Sequence, residues 1–128
     1  HELQNRTRDN CQGNKFPTFT INSTGSSLKN MATICLCSHS TTRELEEACQ
    51  REGYTLSKAE EGLAFATVHP DEQKKDDIII AGTAYYDGAG TLPNYLLLTS
   101  YENKRNLATT VDEGSPWLVG SVFLVTAL

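Results

Sequence analysis

Apolar positions recur along this chain in two rhythms, and the changes of rhythm mark its elements. Leu45, Ala48 and Cys49 fall at three- and four-residue spacing opposite Arg43, Glu46, Glu47 and Arg51, which is the narrow stripe of a surface helix. Thr41 with Glu44 three residues later forms a capping box and Gly53 supplies a stop, so the spacing predicts a helix from Thr42 to Glu52. Elsewhere the apolar runs are short and β-prone. Phe16 to Ile21 and Met31 to Cys37 flank the turn formers from Asn22 to Ser27 and predict a hairpin. Beyond the helix, Leu63 to Val68, Ile78 to Tyr86, Tyr95 to Ser100, Leu107 to Val111 and Trp117 to Leu128 predict strands. The polar run Asp71 to Asp77, the turn Asp87-Gly88-Ala89-Gly90, the charged tip Glu102 to Asn106 and Gly114-Ser115-Pro116 separate them. Links this short favour sequential antiparallel pairing. The expected fold is α+β: an N-terminal hairpin, then one helix packed on a twisted antiparallel sheet of four to five strands.

A chain of 128 residues can bury one modest core, so a single domain over 1–128 is expected, with 1–15 as a flexible polar arm and 16–128 as the folded part. The sequence opens on His1, and we expect a processed chain whose signal peptide has been removed. Four cysteines, Cys11, Cys35, Cys37 and Cys49, fit no zinc spacing, because one residue alone separates Cys35 from Cys37. Disulfides are the better expectation. The even cysteine number, beside acceptor sequons at Asn5 and Asn22, points to the secretory route. A Cys35–Cys37 bridge within one strand has poor geometry, so Cys11 and Cys49 are each expected to take one of that pair, in either order.

A net charge of −5 repels phosphate backbones and disfavours DNA as a partner. The apolar run Val119 to Leu128 is about half the roughly 20 residues that span a bilayer, so it reads as a buried strand and no membrane association is expected. Phosphate loops, nucleophile elbows, His-Glu-x-x-His and EF-hand patterns are all absent from the sequence, and neither a cofactor nor a metal is expected. Tyr85, Tyr86 and Tyr95 surround the Gly-rich turn that begins at Asp87. Alternation forces one of Tyr85 and Tyr86 outward, which makes Tyr85, Tyr86, Asp87 and Tyr95 the candidate partner-binding residues, with core packing as the plainer reading of each tyrosine. Lys74-Lys75 and Lys104-Arg105 read as solubilising charge in turns.

The order hairpin, helix, then antiparallel strands resembles the small fungal guanyl-specific ribonucleases and ribotoxins. Ser40 to Tyr54 is similar to that family's helix ending in Gly-Tyr, and Val68-His69-Pro70 sits where the family has Tyr-Pro-His. Tyr86 to Gly90 followed by Leu92-Pro93-Asn94 resembles its Gly/Pro-rich loop, and Leu96 to Val111 its central hairpin. The resemblance implies a His and a Glu on the first two core strands, an Arg on the third and a second His on the fourth, arranged for general acid–base catalysis. Here His69, Asp77 and Glu113 are the candidates for what is left of that set. The phosphate-holding arginine and the second histidine are not found. Carboxylates with one histidine and no cation would repel a phosphodiester, so the resemblance implies a catalytically inactive scaffold, as in ribonuclease-like secreted fungal effectors of plant pathogens. Leu97-Leu98-Thr99 with Asn103-Lys104-Arg105 looks like theirs. What it implies for partners is a host protein, an immune receptor among the candidates, or RNA. It implies a monomer that is secreted and able to enter host cells. An active ribonuclease with a rearranged site, and an unrelated disulfide-stapled binding or inhibitor protein, are the competing expectations.

Overall fold

A computed structural model describes residues 31–86 and 92–128 together with the backbone of 19–24. The polar arm, Asn5, Cys11, Asp87 and the side chain of Asn22 lie outside the described residues. Strands β1 (Phe19–Thr24) and β2 (Met31–Leu36) form the expected N-terminal hairpin, antiparallel with a bulge between Ile21 and Ser23. Helix α1 (Thr42–Arg51) follows and carries the expected capping box: the Glu44 N–H donates to Thr41 Oγ1, and the Thr41 N–H donates to Glu44 Oε1. Gly53, at φ +86°, turns the chain out of the helix, and the buried stripe is Leu45, Ala48 and Cys49. A short β3 (Tyr54–Leu56) leads into α2 (Ala59–Val68) and α3 (Glu72–Lys75). The remaining strands are β4 (Ile78–Tyr85), β5 (Asn94–Tyr101), β6 (Lys104–Val111) and β7 (Val122–Ala127).

The chain is α+β, and beside the unpredicted short elements β3 and α3 it departs from the expected single helix and four to five antiparallel strands in two larger respects. Leu63 to Val68 is the second half of α2, not a strand. Glu61 at N3 accepts from the Lys58 N–H at 2.8 Å, alanines fill the turns, and Ala59, Gly62, Phe65 and Ala66 recur at helical spacing on the buried side. The second departure is topological. The strand order is β1-β2-β7-β4-β5-β6, six strands across, with β3 also pairing β7. β7 meets β4 in parallel, Ile78 opposite Val122, so the sheet is mixed. A strand buried at five successive positions, Val122 to Thr126, is stable only where both of its faces are covered, and that puts the last strand in the centre.

The two main helices cover opposite faces. Leu45, Ala48 and Cys49 of α1 share a core with Ala32, Ile34, Leu36, Ile79, Tyr95, Phe123 and Val125, onto which Trp117 packs. Ala59, Phe65 and Ala66 of α2 share the other with Met31, Ile78, Ile80, Leu96, Leu98, Val122 and Leu124. β3 and β4 compete for one edge of β7, β4 holding Val122 and Phe123 and β3 holding Val125 to Ala127. β4 must therefore swing away after Ile79. Gly82 passes that crossing, its N–H donating to Ser57 O at 2.8 Å.

Face alternation also corrects the disulfide expectation. Cys35 and Cys49 are reduced and buried. Cys49 lies on the α1 face with Ile34 and Leu36, and Cys35, between those two on β2, points to the other side of the sheet, so the strand itself separates them. Cys37 is disulfide-bonded.

The β5–β6 hairpin turns on Glu102 and Asn103 alone, at φ 51° and 63°. Both central positions of such a turn need positive φ, which glutamate adopts at a cost and asparagine readily. Glu102→Asn is expected to raise stability by about 0.5–1 kcal/mol, read as a higher urea midpoint with an unchanged slope.

Candidate functional site

The three residues expected to be left from a ribonuclease centre are not brought together. His69 ends α2: its N–H donates to Phe65 O at 2.8 Å and its ring lies tilted against that of Phe65, centroids 5.0 Å apart. Its own carbonyl accepts from the Glu72 N–H, which joins α2 to α3. Asp77 enters β4 and accepts from Thr99 Oγ1 at 2.5 Å, near the hairpin end of β5. Glu113 follows the far end of β6. Thr99 stands opposite Asn106 and Asn94 opposite Val111, so about 17 Å of strand separates the two carboxylates. Arg105 belongs to the His69 end, where its guanidinium donates to Ala66 O at 2.9 Å and caps the last turn of α2. Buried Gln73 fastens α3 to the same hairpin by donating to Thr99 O and Asn106 O. Each of these groups holds one element against another.

Of the candidate partner-binding residues, two are presented and one is not. Tyr85 and Tyr86 are 45% and 62% exposed, and Leu92, on the facing side of the loop, is 43% exposed. Strict alternation would have hidden one tyrosine. Instead β4 loses register with β5 between the Ile80–Leu96 and Tyr85–Asn94 pairs, as its swing around β3 requires, and both tyrosines emerge. Asp87 lies outside the described residues. Tyr95 is buried, contrary to the expectation of a contact residue, because its hydroxyl finds a partner inside: it donates to Asp112 Oδ2 at 3.2 Å. Burial pushes the Tyr95 ionisation upward. The Thr42 hydroxyl opposes that shift, and the Asp112 charge and hydrogen bond add to it, with Tyr86 nearby contributing least.

Asp112 is the hub that sequence reading missed. Thr42 Oγ1 donates to Asp112 Oδ2 at 2.6 Å and accepts from Trp117 Nε1 at 2.8 Å, and the Gly114 N–H donates to Asp112 Oδ1 at 2.9 Å. The network ties the first turn of α1, β5 and the segment before β7 to one carboxylate, which also suits the positive end of the α1 dipole. Its members lie 17, 70 and 75 positions apart in sequence, so no local pattern announces them. Beside the hub opens a cleft of about 710 Å³ between α1, β3 and β4, lined in part by Arg43, Glu46, Glu47, Lys58, Gly82 and Asp112. Glu46 is held there by Thr55 Oγ1 at 2.8 Å and by the Leu56 N–H at 3.4 Å, and Arg43 pairs with Glu47 at 3.3 Å. The lining carries charges of both signs, Arg43 being paired with Glu47, and among the described residues it holds neither histidine nor cysteine. Such a set can orient a polar ligand or a partner's side chain.

Among the described residues no three His, Cys, Asp or Glu side chains gather as metal ligands, and no helix is long and apolar enough to cross a membrane. Comparison with protein-family models, with curated proteins and with solved structures gives no match for the chain.

Proposed function

We infer that this chain is a secreted, catalytically inactive binding protein on a ribonuclease-like scaffold, acting on a host protein in the manner of a fungal effector. One observation carries the binding half of this reading: Tyr85, Tyr86 and Leu92 stand exposed at and just beyond one end of the β4–β5 pair, whose strands are rooted in the core. Exposed aromatics on rigid elements are the usual anchors of a protein interface, because they bring contact area at little entropic cost. A protein is favoured over RNA. The molecule is acidic, with a net charge of −5 that repels phosphate backbones. The separation of His69 and Asp77 from Glu113 supports the absence of hydrolysis. The order β1–β2 hairpin, α1, then the β5–β6 hairpin supports the ribonuclease-like scaffold, from which the second helix and the parallel β4–β7 contact depart. The sequons and the Cys37 disulfide support secretion.

The test pairs two assays on the full chain. Incubation with a structured and an unstructured RNA is expected to give no turnover. Precipitation from a plant protein extract is expected to enrich a protein with the wild type and with Lys104→Ala/Arg105→Ala, and to lose it with Tyr85→Ala/Tyr86→Ala, whose melting temperature stays within about 3 °C of wild type because both side chains are exposed. RNA cleavage abolished by His69→Ala would overturn the reading in favour of an enzyme. Retention of RNA in place of a protein would overturn the choice of partner.

A further inference from the structure

The two edges of the sheet are finished differently. β1 is interrupted by its bulge, a device that discourages pairing with another chain. β6 runs eight residues in unbroken register with β5, from Asn94 opposite Val111 to Tyr101 opposite Lys104, and among the described residues no strand pairs its other side. It contains neither proline nor glycine. The two-residue turn fixes which backbone groups remain open. Tyr101 and Lys104 close it, so Lys104, Asn106, Ala108 and Thr110 bond toward β5, and the Asp112 N–H continues that alternation by donating to Pro93 O at 2.9 Å. The N–H and C=O groups of Arg105, Leu107, Thr109 and Val111 therefore point out of the sheet. Their side chains lie on the α2 face, as the Arg105 bond to Ala66 shows, and Leu107 and Val111 are 58% and 41% exposed there. Charge is polarised along the strand, with Lys104-Arg105 at its start and Asp112-Glu113 just past its end.

We propose that β6 pairs with β6 of a second copy of this chain, antiparallel about Thr109. In that register Thr109 faces its own counterpart, Leu107 faces Val111 and Arg105 faces Glu113, each of the last two twice by symmetry. All of these are outward-bonding positions, so ladder geometry, apolar matching and charge complementarity select the same alignment. A parallel pairing would set basic against basic and acid against acid. The two-fold axis runs normal to the sheet, so both α2 helices stay on one face and the two sheets join into one. Arg105 keeps its bond to Ala66 through one guanidinium nitrogen and has other N–H groups for the carboxylate. This surface does not depend on the reading of Tyr85 and Tyr86.

Sedimentation velocity on the full chain, from about 1 μM to about 500 μM, is the test. The wild type is expected to move from monomer to dimer with concentration. Glu113→Arg, at an exposed position, is expected to weaken the dimer about tenfold or more, and Arg105→Glu/Glu113→Arg to recover most of that loss, because the swapped charges again face each other. Thr109→Pro removes an outward N–H and spares the β5 ladder, so it is expected to leave a folded monomer. If Thr109→Pro disturbs the fold, the charge swap decides alone. A chain that stays monomeric throughout, or a dimer indifferent to Glu113→Arg, overturns the proposal. Capture of an unrelated extended peptide on β6 by a monomeric chain overturns the choice of occupant.

Discussion

Replacing Gly82 by alanine is expected to lower the melting temperature by roughly 10 °C, a loss of about 3 kcal/mol. A Cβ at this position would lie 2.4 Å from the carbonyl oxygens of both Leu56 and Ser57. Those atoms cannot step aside as a side-chain tip could. The Ser57 carbonyl accepts from the Gly82 N–H, the Ser57 N–H donates to Leu124 O, and its hydroxyl shares a buried 2.7 Å hydrogen bond with Thr126. Relief requires β4 to part from β3 where both crowd the edge of β7, at the expense of buried hydrogen bonds. Gly53→Ala is the comparison. Gly53 has positive φ and open space around it, so its alanine meets backbone strain without a clash and is expected to cost about 1 kcal/mol. Scanning calorimetry on the two variants separates the cases, and a Gly82→Ala protein no less stable than Gly53→Ala would mean that the crossing is loose. The same crossing pushes both tyrosines into solvent, so Gly82→Ala should also weaken capture of the partner.

What the sequence disclosed tracks how local each determinant is. Helix α1 was legible because its cap, stripe and stop lie within thirteen consecutive residues, Thr41 to Gly53, and each restricts the same element. Helix α2 was obscured by its start. Lys58 is an unusual N-cap and Gly62 a poor helix former, so the apolar run seemed to begin at Leu63. Gly62 is tolerated because the helix approaches the sheet so closely there that a Cβ would sit 2.8 Å from Ile80 Cγ1. The central place of β7 had a visible signal, an apolar run without alternation, but its parallel partner β4 is set by the crossing at Gly82 and by nothing adjacent. A glycine inside an otherwise continuous strand was itself the sign of a close backbone approach. The site divides in the same way. Tyr85 and Tyr86 were legible from their turn, and Tyr95 was misread because its partner, Asp112, comes from the far side of a hairpin.

The cysteines yield the last prediction, since an expected disulfide half is in fact a buried thiol. Burial, helped by the negative charge of Glu46, pushes the Cys49 thiol up from 9.0 to about 12. The folded protein therefore favours the protonated form, whereas the unfolded chain ionises near the ordinary value. Below about pH 9 both states hold the proton and this contribution to stability is complete. As pH rises from there toward 12 the unfolded state alone gives its proton up, and stability falls by up to about 4 kcal/mol. Cys49→Ala gives up some packing at neutral pH but does not share that decline, so the stability curves of variant and wild type should converge in alkali. Tyr95, also pushed upward, acts in the same direction in both proteins and cancels from the comparison. Thiol labelling gives an independent reading. At pH 8 without reductant, Cys49 is expected to resist Ellman's reagent in the folded protein, being fully buried and protonated, and to react at once in guanidinium. A Cys49 that stays unreactive after unfolding would be disulfide-bonded after all, and equal alkaline losses in wild type and Cys49→Ala would show that its proton plays no part in holding the α1 face of the core together.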